Sequence, residues 1–157
     1  RRISSAASDV YKRQVKVREF KIAQKKVLGG FAGAAADALT LFEKFEQKLE
    51  QYEGDITRAT VELAKDWRMD KMLRHLDAML VVMSDKNSFI IAGDGNVIEP
   101  DGQVVAIGSG GGFAQAAALA LISKTKLSAK QIAFDSLKIA ADLCIYTNDS
   151  ISVLEIK

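Results

Sequence analysis

The residues of this sequence that could do chemistry are few and lie far apart along the chain. A glycine-rich loop at Gly108–Gly112 follows an apolar run and precedes an Ala-rich helical segment. Backbone N–H groups at such a junction can bind an anion, but no Lys follows the glycines as a Walker phosphate loop requires. Three interpretations remain open: a tight strand-to-helix turn, a loop of a catalytic site, and a nucleotide- or anion-binding module.

Gly33, His75 and Cys144 are further candidates, and each also has a purely structural explanation. Gly33 ends an apolar run before a helix, where its N–H could stabilise an oxyanion or the glycine could simply permit the turn. The single histidine, His75, lies in a charged helical stretch, and the single cysteine, Cys144, lies in an apolar one. These settings favour a solvent-facing histidine and a small core residue over a Cys–His catalytic pair.

The composition is that of one globular domain. The chain has 157 residues, of which 48% are hydrophobic and 27% are charged, as in soluble single-domain proteins. One cysteine excludes a disulfide framework and a multi-cysteine zinc site, and no apolar run approaches the ~20 residues that span a bilayer. Residues 1–26 carry +7, so a net charge of +2 leaves −5 on the rest, which does not favour nucleic acid as a partner.

Hydrophobic periodicity predicts the elements that would position these residues. The pattern predicts strands at Lys26–Ala32, Ala78–Met83, Ser88–Ala92, Val97–Ile98 and Val104–Ile107, helices at Ala34–Tyr52, Ile56–Leu76, Phe113–Ser123 and Ala129–Asp142, and a closing hairpin of Leu143–Thr147 with Ile151–Ile156. Asp55 and Ser128 are predicted helix N-caps. Short turns between strands indicate antiparallel pairing, and two helix pairs can cover two sheets. We therefore expect an α+β fold, a four-layer αββα sandwich.

The first fourteen residues, RRISSAASDVYKRQ, differ from the rest of the sequence. They are rich in Arg and Ser and lack apolar periodicity, which is typical of a foreign tail, a transit peptide or a basic arm. We expect a tail foreign to the fold over residues 1–14 and one domain over residues 15–157. An αββα sandwich needs a hairpin before Lys26, so we expect these N-terminal strands to be missing and the chain to be poorly soluble.

Four segments in order, Gly29–Gln51, Val61–Leu80, Ala106–Leu121 and Leu127–Asp149, resemble the HslV (ClpQ) family of peptidase subunits, which are related to proteasome β subunits. The resemblance implies an N-terminal nucleophile hydrolase fold and a threonine-type peptidase. In that family the first residue supplies both the hydroxyl nucleophile and, through its α-amine, the base. This sequence has Arg at position 1, so we expect the chain as written to lack the nucleophile and to be inactive.

The resemblance also assigns roles to individual positions. It places the catalytic lysine at Lys16, the oxyanion-hole glycine at Gly33, a serine that hydrogen-bonds near the nucleophile's amine at Ser109, a buried acid at Asp142, a substrate-pocket residue at Phe31, and sodium-binding backbone carbonyls at Ala141, Cys144 and Thr147. Lysine near a hydroxyl or amine favours the deprotonated form through its positive charge.

Partners and location are likewise implied by the resemblance. It indicates a homo-oligomer, a dodecamer of two stacked six-membered rings in the cytoplasm, with HslU (ClpY), an ATPase, as partner and unfolded proteins as substrates. ATP would bind that partner alone, and neither nucleic acid nor a membrane is expected to take part. The alternative is a catalytically inactive HslV-like subunit with an assembly or regulatory role, and the N-terminal residue of the mature protein distinguishes the two.

Overall fold

The molecule is built of four layers, with two antiparallel sheets between two pairs of helices. The structure is a computed structural model that describes residues 2–6, 16–147 and 150–156, the first of these segments by its backbone alone. One helix pair packs on a five-stranded sheet, and the other packs on a two-stranded sheet. This arrangement confirms the predicted α+β class and the αββα sandwich.

Seven strands and four α-helices make up these layers in the described part of the chain. The strands are β1 Arg2–Ala6, β2 Val17–Ile22, β3 Lys25–Ala32, β4 Met79–Met83, β5 Ser88–Ala92, β6 Val97–Ile98 and β7 Ile151–Glu155. The helices are α1 Ala35–Gln51, α2 Ile56–Met69, α3 Gly111–Lys124 and α4 Ala129–Leu143, and a short 3₁₀ helix covers Leu73–His75. Within the described residues, no helix has the length and apolarity needed to cross a membrane.

The larger sheet has the strand order β2-β3-β4-β5-β6, so each strand pairs with its neighbour in sequence. All four pairs are antiparallel, as the short predicted turns required. The smaller sheet pairs β1 with β7, also antiparallel, with Arg2 opposite Glu155.

Side-chain alternation along the strands gives the larger sheet two buried faces. On β4, Leu80 and Val82 face α1 and α2, in a first core cluster that also holds Trp67. Val81 and Met83 face the opposite way, in a second core cluster that includes Leu154 of β7. The first cluster joins helices to the sheet and the second joins the two sheets, so the central strands are buried on both sides.

Local sequence signals account for the buried face of α1 and for the first residues of α2 and α4. The apolar stripe of α1 is fully buried and consists of Ala38, Leu41, Phe42, Phe45 and Leu49. The Asp55 carboxylate accepts the Arg58 N–H at 3.1 Å, which confirms the predicted N-cap of α2. Ser128 likewise caps α4 by accepting the Gln131 N–H at 3.2 Å. An N-cap of this kind typically contributes about 1 kcal/mol.

One predicted helix is shorter than expected. The prediction extended the second helix to Leu76, but α2 ends at Met69. The Asp70 carboxylate accepts the backbone N–H groups of Met72 and Leu73, at 2.8 and 3.3 Å. This local turn satisfies donors that a helix would otherwise use, so the chain leaves the helix there.

Three predictions about strands near the smaller sheet and the second helix pair are wrong. Val104–Ile107 has no regular secondary structure and joins neither sheet in the described part of the chain. Leu143–Thr147 forms no hairpin arm, because α4 runs to Leu143 and a turn follows. The partner of β7 is instead β1, within the segment that we expected to contribute no strand. Pairing between strands uses backbone hydrogen bonds and depends little on side-chain type. The polar residues of β1 therefore did not indicate a strand.

Candidate active site

A cavity of about 640 Å³ lies between the larger sheet and the second helix pair. Its walls come from the end of β3, the segment that leads into α3, both helices of the pair, and the turn after α4. Of the residues assigned from the sequence, the cavity brings together Lys16, Phe31, Gly33, Ser109 and Thr147. Residues from separate parts of the chain therefore meet at one concave site, which is the usual form of an active site.

Lys16 reaches this site because β2 pairs with β3. The Lys16 carbonyl accepts the Phe31 N–H at 2.9 Å, just beyond the first pair of the ladder between the two strands. Lys16 is half-buried, and it is the single charged side chain among the described residues that line the cavity. The described walls around its ammonium group are largely apolar.

Gly33 occupies a backbone position that other residues do not tolerate. Its φ is 140°, and an added Cβ would lie 3.0 Å from the Asp77 carbonyl oxygen and 3.0 Å from the Phe31 ring. Both a conformational and a steric reason therefore require glycine where β3 leads into α1. With glycine at this position, the backbone of the turn lines the cavity.

Phe31 borders the cavity, but its ring belongs to the first core cluster. The side chain is 2% exposed, and its ring meets that of Phe42 edge-on at a centroid distance of 6.3 Å. The predicted substrate-pocket position is thus occupied by a firmly packed aromatic ring.

The glycine-rich loop is a tight turn that lies close to the segment after α4. Gly108 has a φ of 94°, and its carbonyl accepts the Gly111 N–H at 3.0 Å. A Cβ on Gly110 would lie 2.6 Å from the Thr147 hydroxyl oxygen. The loop is therefore a tight turn that leads into α3 and also lines the cavity, but no strand precedes it. Ser109 lies within this turn.

Cys144 joins this loop through its thiol. Hydrogen bonds with the Thr147 hydroxyl, the Tyr146 backbone and the Ser109 hydroxyl, the first being the largest effect, lower the pKa of the Cys144 thiol, although burial opposes them. The thiol is free and buried, which confirms a small core residue. His75 is exposed, as expected, and its 3₁₀ helix packs on the opposite side of the larger sheet, so the two residues form no catalytic pair.

Asp142 departs from its expected environment. The resemblance implied a buried acid, but Asp142 is exposed near the end of α4 and is not among the residues that line the cavity. Its position on the helix turns the carboxylate outward, while Ala140 on the same helix is fully buried. The prediction of a buried acid at this position is wrong.

The carbonyl groups assigned to sodium lie close together in sequence at the end of α4. Ala141 is in the last turn, where carbonyls lack an intrahelical donor, and the Cys144 carbonyl accepts the Thr147 N–H at 3.0 Å. A carbonyl oxygen has two lone pairs, and neutral oxygens suit hard cations, so this donor set fits such an ion. The described residues hold no cluster of three or more His, Cys, Asp or Glu suited to a metal.

Sequence reasoning missed the apolar wall that α3 gives to the cavity. The buried face of this helix consists of Gly111, Ala114 and Ala118, all of them small. Their spacing of three and four residues is visible in the sequence, but an Ala-rich helix is apolar on every side and does not show which face is buried.

Two comparisons place the chain among known proteins. A family model described as proteasome subunit matches residues 2–156. A solved structure, that of eukaryotic HslV from Trypanosoma brucei, superposes with a TM-score of 0.84 at 39% sequence identity. That superposition covers 99% of this chain and 93% of the other.

Proposed function

The chain belongs to the proteasome subunit family, and from that premise we propose that it is the peptidase subunit of an ATP-dependent, protein-degrading ring. The observation that carries the proposal is the convergence of Lys16, Gly33 and Ser109 at one cavity. These residues come from three separate segments of the chain, and the family resemblance implies a catalytic role for each of them.

The reaction would be hydrolysis of a peptide bond by an N-terminal threonine. Its hydroxyl attacks the peptide carbonyl, and its α-amine, with a reference pKa of about 7.7–8.0, accepts the proton. The Lys16 ammonium would favour ionisation of the nucleophile by its charge. A backbone N–H at Gly33 would stabilise the oxyanion, and the Ser109 hydroxyl would orient the amine. Such hydrolysis needs a threonine at the N-terminus of the mature protein.

The assembly would be a double ring of six subunits each, capped by the ATPase HslU and located in the cytoplasm. Exposed apolar side chains on and around the second helix pair support subunit contacts there; they are Phe113, Leu119, Leu127, Phe134, Ile139 and Leu143. Clustered exposed apolar residues commonly mark protein–protein interfaces. The carbonyls of Ala141, Cys144 and Thr147 would hold a sodium ion. Its positive charge would stabilise the C-terminal end of α4.

The test begins with the protein from its native source, because the N-terminal residue decides the mechanism. Intact mass and N-terminal sequencing should reveal threonine at the mature N-terminus, and a fluorogenic peptide should be hydrolysed. An N-terminus at Arg1 together with no hydrolysis would overturn the peptidase proposal in favour of an inactive assembly or regulatory subunit.

The role of Lys16 is tested in the form that hydrolyses the peptide. Lys16→Ala should lower kcat by about a hundredfold or more, the usual effect of removing an electrostatic catalytic group. Lys21→Ala is the matched control, because Lys21 is exposed on β2, the strand that directly follows Lys16, and does not line the cavity. Equal activity of the two variants would exclude a catalytic role for Lys16.

A further inference from the structure

Three side chains with sulfur or nitrogen donor atoms lie on one short turn between α2 and β4. They are Met69 at the end of α2, Met72 shortly after it, and His75 at the end of the 3₁₀ helix. Each follows the one before it at a spacing of three residues. None of them lines the cavity, and their 3₁₀ helix packs on the other side of the larger sheet.

The two thioethers are far more exposed than methionine side chains usually are. Met69 and Met72 are each 81% exposed, whereas Met83 is 5% exposed. Methionine is normally a core residue, but neither of these two side chains belongs to a core cluster. His75 is exposed as well, and within the described residues its ring takes part in no hydrogen bond or ion pair. The donor atoms of all three side chains are therefore open to a ligand.

The backbone after α2 places Met72 and His75 on the same face. The Arg74 N–H donates to the Asp70 carbonyl at 3.0 Å, and the His75 N–H donates to the Met72 carbonyl at 3.4 Å. Met72 has helical φ and ψ values of −73° and −44°. Side chains at i and i+3 of a 3₁₀ helix eclipse each other, so these two project from one face, about 6 Å apart along the axis.

Met69 directly precedes this turn. The Asp70 carboxylate accepts the backbone N–H groups of Met72 and Leu73 at 2.8 and 3.3 Å, which fixes the turn without any help from the methionine side chains. Three residues of chain span at most about 11 Å, and an unbranched methionine side chain has three rotatable bonds. Both sulfur atoms are therefore within reach of a single ion held at the turn.

The donor atoms determine which kind of ion fits. Thioether sulfur is a soft ligand that favours copper(I), and imidazole nitrogen also suits copper. Magnesium and calcium require oxygen ligands instead. The charges on this turn cancel, because Lys71 and Arg74 balance Asp70 and Asp77. A monovalent cation consequently meets no net repulsion from the turn.

We propose that Met69, Met72 and His75 form a surface site for one copper(I) ion. The two thioether sulfur atoms and one imidazole nitrogen replace solvent ligands of the ion, and no electron is transferred. The site is independent of the proposed peptidase function, because its residues lie outside the cavity and binding requires no nucleophile. Loss of peptidase activity and loss of copper(I) binding are thus separate results.

The direct test is an anaerobic titration of the full chain with copper(I), followed by NMR of isotope-labelled methionine methyl groups. The chain has four methionines, so each position gives its own signal. We expect the methyl signals of Met69 and Met72 and the ring signals of His75 to shift. The signals of Met79 and Met83 should stay in place. Unchanged signals of Met69 and Met72 at two equivalents of copper(I) would overturn the proposal.

The identity of the ligands is tested by competition for copper(I) with the chelator bicinchoninate. Met69→Leu, Met72→Leu and His75→Gln should each weaken binding at least about tenfold, since loss of even an outer-shell partner costs about 10–100-fold in metal affinity. Leucine for methionine conserves volume and is well tolerated. Circular dichroism verifies the fold of each variant.

Arg74→Gln is the matched control for His75→Gln, because Arg74 is exposed on the same 3₁₀ helix and receives the same replacement. It should bind copper(I) as tightly as the unaltered chain. The single thiol, Cys144, is present in every variant, so a difference between variants belongs to the proposed site. Unchanged stoichiometry and affinity in all three ligand variants would overturn the proposal.

The choice of ion is tested with zinc(II). Zinc prefers thiolate, imidazole and carboxylate ligands, so millimolar zinc(II) should leave the methyl signals of Met69 and Met72 in place. Equal shifts of these signals with zinc(II) and copper(I) would show that the site does not select a soft ion, and the assignment to copper(I) would be wrong.

Discussion

Replacing Gly33 with alanine isolates the backbone constraint at the turn between β3 and α1. The substitution adds one methyl group at a φ of 140°. That group would meet the Asp77 carbonyl oxygen at 3.0 Å and the Phe31 ring at 3.0 Å. Neither neighbour can move easily, because Asp77 leads into β4 and the Phe31 ring is packed against Phe42.

The expected cost has two parts. A non-glycine residue in a sparsely populated region of φ costs about 1–3 kcal/mol. Inserting a methyl group into well-packed surroundings costs a further 1–3 kcal/mol or so. Gly33→Ala should therefore lower the free energy of unfolding by about 2–6 kcal/mol. For a chain of this length that corresponds to a fall of about 4–24 °C in Tm.

Urea unfolding followed by tryptophan fluorescence measures this cost directly. The single tryptophan, Trp67, is fully buried and lies in the first core cluster together with Phe31. Gly112→Ala is the control, because no atom lies within 4 Å of the added Cβ. In α3 that change should be neutral or stabilising by up to about 1 kcal/mol.

Two results would refute this reasoning. If Gly33→Ala unfolds within about 0.5 kcal/mol of the unaltered chain, the usual range for harmless surface changes, then neither strain nor crowding operates at this turn. If both glycine variants lose stability equally, the cost arises from loss of glycine in general and not from the contacts with Asp77 and Phe31.

Two further predictions concern hydrogen bonds. Thr147→Val should raise the pKa of the Cys144 thiol, so the half-maximal rate of alkylation by iodoacetamide should move to higher pH, while Thr125→Val should leave it in place. Because folding lowers the pKa of the Cys144 thiol, its thiolate adds to the free energy of unfolding above the pKa of the unfolded chain. That contribution is lost as the pH falls through the pKa of the folded protein. Thr147→Val should make this pH-dependent loss smaller. Asp55→Ala should cost about 1 kcal/mol of unfolding free energy in urea, whereas Asp85→Ala, in an exposed turn, should cost little.

The first helix layer was predictable because local signals and tertiary burial agree there. The 3.6-residue spacing from Ala38 to Leu49 identifies the buried face of α1, and Asp55 marks the start of α2. The end of α2 was missed because Leu73 and Leu76 continue the apolar period. A side-chain hydrogen bond from Asp70 overrides that period, and composition carries no sign of it.

The smaller sheet and the second helix pair were less predictable, because their packing depends on residues that are distant in the sequence. Val104–Ile107 has the composition of a strand, but a strand needs an adjacent backbone, which the sequence does not specify. The contact of Gly110 with Thr147 likewise joins a loop to the far side of a helix pair. Family resemblance assigned Lys16, Gly33 and Ser109 to one site, but it could not give the outward rotation of Asp142, which depends on how α4 packs.

The pairing of β1 with β7 has a consequence for how the molecule folds. Strands β2 to β6 and the first helix pair pack against elements close in sequence, so that half can form from short-range encounters. The β1–β7 ladder joins opposite ends of the sequence, and each doubling of the closed loop costs about 0.6 kcal/mol in chain entropy. We therefore expect the smaller sheet to assemble last and to open first, together with α4, which packs on it. Hydrogen exchange of the β7 amides that is faster than that of the β4 amides would support this order.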